Sequence, residues 1–231
     1  MTDFYLNSIA FKAFPNSEDD VKAQLEILVK LVEDLRTVSP DFSNWYVNSG
    51  SDLNPPLEYS FPSESAFKYL LKLRKKDAFQ SFLLWNGQVD NSLYASISLS
   101  IINISLSLQK RYSLSQLVDI FQIILKYLPF KYLYLSNPFF MKNRVFDHRQ
   151  PVSSICYVPK AVEDKELPYI YQKIEVNTSL NQGTILIFDQ NLFDESEQMK
   201  KKIQENSIAL VDLDLIPETE LSPDFFNEVE F

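Results

Sequence analysis

Side chains suited to chemistry are scarce in this sequence. Its 231 residues include one histidine and one cysteine. His148 stands between Asp147 and Arg149 in VFDHRQP. A triad needs a nucleophile and an orienting acid within hydrogen-bond reach of the base, and a histidine in a polar turn is ordinarily a surface residue. Cys156 lies in the alternating run SSICYVP, where a thiol is expected to be a buried packing group. Asp41, Asp52, Asp90, Asp147 and Asp189 would make a carboxylate metal site only if folding gathered them. Their spacing gives no such support, and acids in turns are normally caps or solvated groups. No P-loop, glycine-rich dinucleotide turn, HExxH or EF-hand spacing occurs, and Gly50, Gly87 and Gly183 are the only glycines. The expectation is a binding protein without catalytic residues, cofactor or metal.

Charge says where such binding would occur. The net charge is −9, yet after Lys202 there is no Lys or Arg, while Glu205, Asp212, Asp214, Glu218, Glu220, Asp224, Glu228 and Glu230 follow. The acidity is therefore a property of the C-terminal segment. Phosphate repulsion disfavours direct nucleic-acid binding by a chain of pI about 4.7. The short basic runs at Lys72–Lys76 and Lys200–Lys202 read as solvated helix surface. No apolar run reaches the roughly 20 residues that span a bilayer, and the N-terminus lacks a basic region followed by an apolar one. One cysteine excludes an intrachain disulfide. A cytoplasmic protein without membrane contact is expected.

The elements that must position these groups are legible from local pattern. Ser17 reads as an N-cap before Glu18, Asp19 and Asp20, and Val21, Leu25, Leu28, Val32 and Leu35 repeat at helical spacing. Ser63 and Ser113 cap two further helices. The run DESEQMKKKIQEN predicts a polar fourth helix, and IALVDLDL a last strand. Strands are expected in FYLNSIAFKAF, AFQSFLLWNG, SLYASISLSIINISLSL with a break near Ile102 and Asn103, KYLYLSN, SSICYVP, KIEVNT and GTILIFD. Asn86–Gly87 predicts a tight hairpin turn, and a second turn is expected at Asn181–Gly183. SPDFSNWYVNSGSDLNPPLEYSFPS reads as a long loop anchored by Trp45 and Tyr46, and NPFFMKNRVFDHRQP as an irregular crossing. The class is α+β, a mainly antiparallel sheet with about four helices, in one domain over residues 1–216 followed by an acidic tail, 217–231.

The order of several short motifs carries a resemblance. A first helix ending near SPDFSNWY, a second with a basic end, a strand ending LLWNG, alternating strands with IIN, a long helix closed by LP, and a late GTILIF strand together resemble the immunity protein 52 family of bacterial polymorphic toxin systems. Trp85, Asn86 and Gly87 stand as that family's WNG element does, and Trp45 in NWY is a second match. The resemblance covers residues from about Phe4 to Pro217.

It implies a cytoplasmic antitoxin, encoded beside a secreted toxin commonly delivered by type VI secretion, that neutralises the toxin's C-terminal domain stoichiometrically. Similar members often neighbour nuclease toxins; ADP-ribosyltransferase and deaminase toxins remain open. A nuclease presents a basic cleft, which an acidic partner meets with complementary potential. Two candidate contact sets follow. One is the C-terminal segment with Asp212, Asp214, Glu218, Glu220 and Phe225; the other is the loop set around Trp45, Asp52 and Asp90. Trp85 is expected to belong to the core. An acidic adaptor that loads an effector without inhibiting it is the alternative, and a carboxylate hydrolase is the third.

Overall fold

The computed structural model describes residues 4–48, 59–77 and 81–219. They form an α+β fold built on a single ten-stranded sheet in which every paired neighbour is antiparallel. In chain order the strands are β1 (Phe4–Ala10), β2 (Trp45–Val47), β3 (Ser60–Phe61), β4 (Phe82–Trp85), β5 (Ala95–Leu99), β6 (Ile104–Leu108), β7 (Phe130–Ser136), β8 (Ile155–Val158), β9 (Gln172–Asn177) and β10 (Gln182–Ile187). Across the sheet they run β3-β2-β4-β5-β6-β1-β7-β8-β10-β9, so the first strand lies near the middle.

Among the described residues five α-helices accompany the sheet: α1 (Glu18–Leu35), α2 (Glu64–Lys76), α3 (Leu114–Tyr127), α4 (Pro138–Lys142) and α5 (Glu197–Asp212). The three expected serine caps are present. Ser17 accepts from Asp20 N–H, Ser63 from Ala66 N–H and Ser113 from Gln116 N–H. Asp20 and Gln116 reach back to their cap residues and complete capping boxes, satisfying donors that the first helical turn leaves free.

The core has two parts because successive side chains of a strand point to opposite faces. On one face Leu25, Leu28 and Val32 of α1, Leu70 of α2, and Leu117, Phe121 and Ile124 of α3 pack with Leu84, Ile97, Leu106, Leu135 and Tyr157. On the other, Tyr132, Tyr134, Cys156, Val158 and Leu186 pack with Leu210 of α5 and with Leu215 and Ile216 beyond it. Strands β8 and β10 are thus apolar on both sides. Strands β5 and β6 bury only their odd or even apolar set and leave Ser96, Ser98, Ser105 and Ser107 half-buried on the second face.

Several local expectations are corrected. IALVDLDL is not a strand: α5 continues through Asp212, because Met199, Ile203, Ser207 and Leu210 keep a helical period into the core. NPFFMK contains α4, capped by the Asn137 side chain. Trp45 and Tyr46 belong to β2, a strand inside the stretch read as loop. Strands β4 and β5 pair as expected, but residues 86–94 connect them. Only Gly87, at φ 71°, takes the left-handed conformation there, so no two-residue type I′ turn forms. Gly183 is needed for a different reason than a turn: it lies in β10, where a Cβ would overlap the carbonyl oxygen of Val158.

Candidate functional site

The acidic segment is built on the end of α5. Ser196 caps this helix by accepting from Met199 N–H at 3.2 Å. It ends in a left-handed turn at Asp214, φ 55°, where Leu215 N–H donates to Leu210 C=O at 2.9 Å and Asp214 N–H to Val211 C=O at 2.9 Å. These two bonds are a Schellman termination, and Leu210 and Leu215 supply its apolar contact.

The chain then folds back onto the segment before β8. Gln150 N–H donates to Pro217 C=O and Thr219 N–H to His148 C=O, each at 2.9 Å, around an antiparallel bridge between Arg149 and Glu218. Arg149 donates from Nη1 to Ile216 C=O at 2.8 Å. Its guanidinium also pairs with Asp214 at 3.7 Å and Glu218 at 3.3 Å. Pro217, Glu218 and Thr219 are therefore packed structure, not the start of a free tail. Asp212, Asp214 and Glu218 remain exposed, and Asp147, paired with Arg144 at 3.4 Å, lies beside them. Three carboxylates pair with two guanidiniums and the exposed Asp212 adds a fourth negative charge nearby in the chain, so the segment keeps negative potential.

Beneath it lies the second face of the sheet. Tyr134, two residues before the end of β7, carries Gln150 on its hydroxyl at 2.9 Å. The register continues from Tyr134 to Asn7, Ser105, Ser98 and Leu83, and a parallel row runs from Tyr5 through Ser107 and Ser96 to Trp85 and Tyr46. This gives a floor of small hydroxyls, half-buried, with Tyr5 exposed among them. The acidic cluster stands at one side. At the other, Tyr46 and Tyr94 flank the Trp85 ring at 6.3 and 6.1 Å.

The expected contact residues separate on this frame. Asp214 and Glu218 meet at Arg149, and Asp212 stands exposed two residues earlier in the last turn of α5. Trp45 does not act as a surface anchor: it is 1% exposed and stacks on Phe42 in the first core, because the alternation of β2 turns it to that face. Asp90 is exposed and accepts from the hydroxyl and backbone N–H of Ser92 at 2.7 and 2.9 Å. Those bonds hold its carboxyl below the usual range. It lies in the loop after β4, with β5, β6 and β1 between it and β7, so the fold does not bring it to the acidic cluster. Asp52, Glu220 and Phe225 lie outside the described residues.

Of the two reactive side chains, His148 lies exposed in the fold-back next to Arg149 and Cys156 lies in β8. His148 sits edge-on to Phe146 at 6.1 Å, and Cys156 is fully buried, its thiol pushed up to about 12 by burial. Among the described residues no three His, Cys, Asp or Glu are grouped to hold a metal ion, and no helix is long and apolar enough to cross a membrane. Arg149, the organiser of the acidic cluster, is not legible as such; the one hint is that the last 29 residues hold eight acids and no base, so any partner for them must come from earlier in the chain. Asn86, which the WNG motif offered only as a turn former, is a buried hydrogen-bond centre.

Comparison of the sequence with protein-family models and with curated proteins gives no match.

Proposed function

We propose that this chain is an immunity protein that binds the C-terminal domain of a cognate secreted toxin, of nuclease type, and neutralises it stoichiometrically in the cytoplasm. The observation that carries this reading is the exposed carboxylate set Asp212, Asp214 and Glu218, carried on a backbone held by the Schellman turn and by the pairing of Glu218 with Arg149. A preordered acidic surface suits a basic nucleic-acid cleft. Its charge accelerates encounter, and its rigidity lowers the ordering cost of binding. Protection demands affinity near or below nanomolar, roughly 12 kcal/mol. The hydroxyl floor beside the cluster, with Tyr5, Tyr46 and Tyr94, offers contact area beyond the charges.

The test is growth of cells expressing the neighbouring gene's C-terminal domain, with and without this protein. Rescue together with a 1:1 complex supports neutralisation, and the triple change Asp212→Asn, Asp214→Asn, Glu218→Gln is expected to weaken rescue. Death despite a soluble complex replaces this reading with that of an effector-loading adaptor. Death without a complex removes the pairing.

A further inference from the structure

A second charged feature lies away from the acidic cluster, where the start of α1 meets the second half of α2. Arg74, in the last turn of α2, is only 4% exposed. Its guanidinium lies 4.2 Å above the centroid of the Phe82 ring, and Nη1 donates to Asn16 Oδ1 at 2.9 Å. Nε and Nη2 are buried without any hydrogen-bond partner. Those two groups form the side-on edge of the guanidinium, which takes both oxygens of a carboxylate or phosphate through parallel N–H···O bonds.

An unsatisfied charged donor carries a heavy desolvation penalty, and here the fold accepts it while fixing the rest of the side chain. Burial works against the charge of Arg74, and the Asp77 carboxylate works for it. Beside the guanidinium is a cavity of about 310 Å³, bounded also by Asn16, Val21, Leu71, Lys72 and Lys75. A water occupies about 30 Å³, so the space holds a small oxyanion with part of its hydration. Glu18, the acid on its wall, is engaged by Lys22 at 3.2 Å. Lys72 and Lys75 are exposed, on flexible stems that can close over an anion.

We propose that this cavity is an oxyanion-binding site, in which the free edge of Arg74 holds two oxygens of the ligand and Lys72 and Lys75 supply the outer charge. The buried edge is closed to solvent, so entry needs a small movement of the cavity wall. The site does not depend on the toxin-binding reading, and its test uses the isolated full chain.

Thermal unfolding is measured in sodium phosphate or sodium acetate, with sodium chloride added to hold ionic strength constant. Phosphate is expected to raise Tm in proportion to the logarithm of its concentration. A matching response to acetate identifies a carboxylate site, open to an acidic side chain of a partner; a response to phosphate alone identifies a phosphate site. Arg74→Lys keeps the charge but loses the fork, and is expected to weaken apparent affinity by about tenfold. The exposed pair Lys72→Ala, Lys75→Ala is expected to weaken it by about twofold to threefold. Should Arg74→Lys unfold, the Nε–H resonance of Arg74 in the unaltered protein reports directly, and it is expected to shift on phosphate titration. Equal responses to phosphate, acetate and chloride, or an Arg74 resonance unmoved by either oxyanion, would overturn the proposal in favour of a hydrated fork.

Discussion

The side-chain oxygen of Asn86 accepts the backbone N–H of Ala95 at 3.0 Å, tying the end of β4 to the start of β5 across the loop between them. The same carboxamide donates to Leu93 C=O at 2.8 Å and Asp41 C=O at 3.1 Å. Its oxygen also accepts from Gln88 N–H at 3.4 Å, so one buried side chain bonds four backbone groups and fixes the loop that bears Gly87.

Asn86→Ala leaves those groups without partners and is expected to destabilise the protein by about 2–4 kcal/mol. Asn86→Asp keeps the acceptor but sets a carboxylate against two carbonyl oxygens, so its loss should be at least as large near neutral pH and smaller in acid. Urea unfolding followed by circular dichroism measures both. A loss below 0.5 kcal/mol in the alanine variant would mean that the loop holds without this centre.

Asp214 separates stability from binding. It occupies φ 55°, a conformation that costs a side-chain-bearing residue roughly 1 kcal/mol and glycine almost nothing. Its ion pair with Arg149 is 3.7 Å long, with the Asp214 side chain 92% exposed, and contributes little. Asp214→Gly is therefore expected to raise stability by about 0.5–1 kcal/mol and, under the proposed function, to slow association with the toxin domain at low salt. Chemical unfolding and stopped-flow association give the two readouts. A variant that gains stability and binds toxin unchanged removes Asp214 from the interface.

Asp41 makes stability depend on acid. Burial alone would raise its pKa, but hydrogen bonds from Lys110 at 2.8 Å, Ser39 at 2.9 Å and Tyr112 at 3.3 Å outweigh burial and hold the carboxyl below its ordinary value. A folded pKa below the unfolded one means stability that is complete above about pH 4 and is lost as pH falls through the folded value. Asp41→Asn is expected to cost about 1.5–3 kcal/mol at pH 7, with the gap to the unaltered protein closing below about pH 4. Unfolding series from pH 7 to pH 2 test the sign. Asp34 and Asp189, also held low, add to the same acid transition in both proteins.

Cys156 reports on global opening. It is fully buried and its thiol is pushed up to about 12 by burial, so neither access nor thiolate is supplied by the folded state. A thiol reagent at pH 8 is expected to label it only at the rate of unfolding, and at once in guanidinium chloride. Rapid labelling of the folded protein would place this thiol at a surface.

Caps and alternation were readable because their partners are close in sequence. The Ser17–Asp20 and Ser113–Gln116 boxes each span three residues, and Ile104–Leu108 alternates strictly as a one-sided strand must. Misreadings arose where two local patterns competed. IALVDLDL is rich in β-branched and apolar residues, yet it continues a helix whose Asn206 side chain takes both the N–H and C=O of Tyr169. Buried asparagines were equally hidden. Asn181, expected in a turn, donates to Leu125 C=O and Leu128 C=O at the end of α3 and accepts from Phe130 N–H.

What the sequence determined by itself is most of the helices and strands, the antiparallel α+β class and the acidity of the last segment, since each follows from spacing, capping or counting along the chain. Tertiary structure alone decided which polar groups are buried and which acids meet a base. Arg149 finds Asp214 and Glu218 more than sixty residues away, Arg74 finds Asn16 across α1 and α2, and Trp45 turns inward through the pairing of β2. Such pairs have no local period to betray them. They exist because packing two cores on one sheet closes long loops, and only the closed loops bring those groups within hydrogen-bond range.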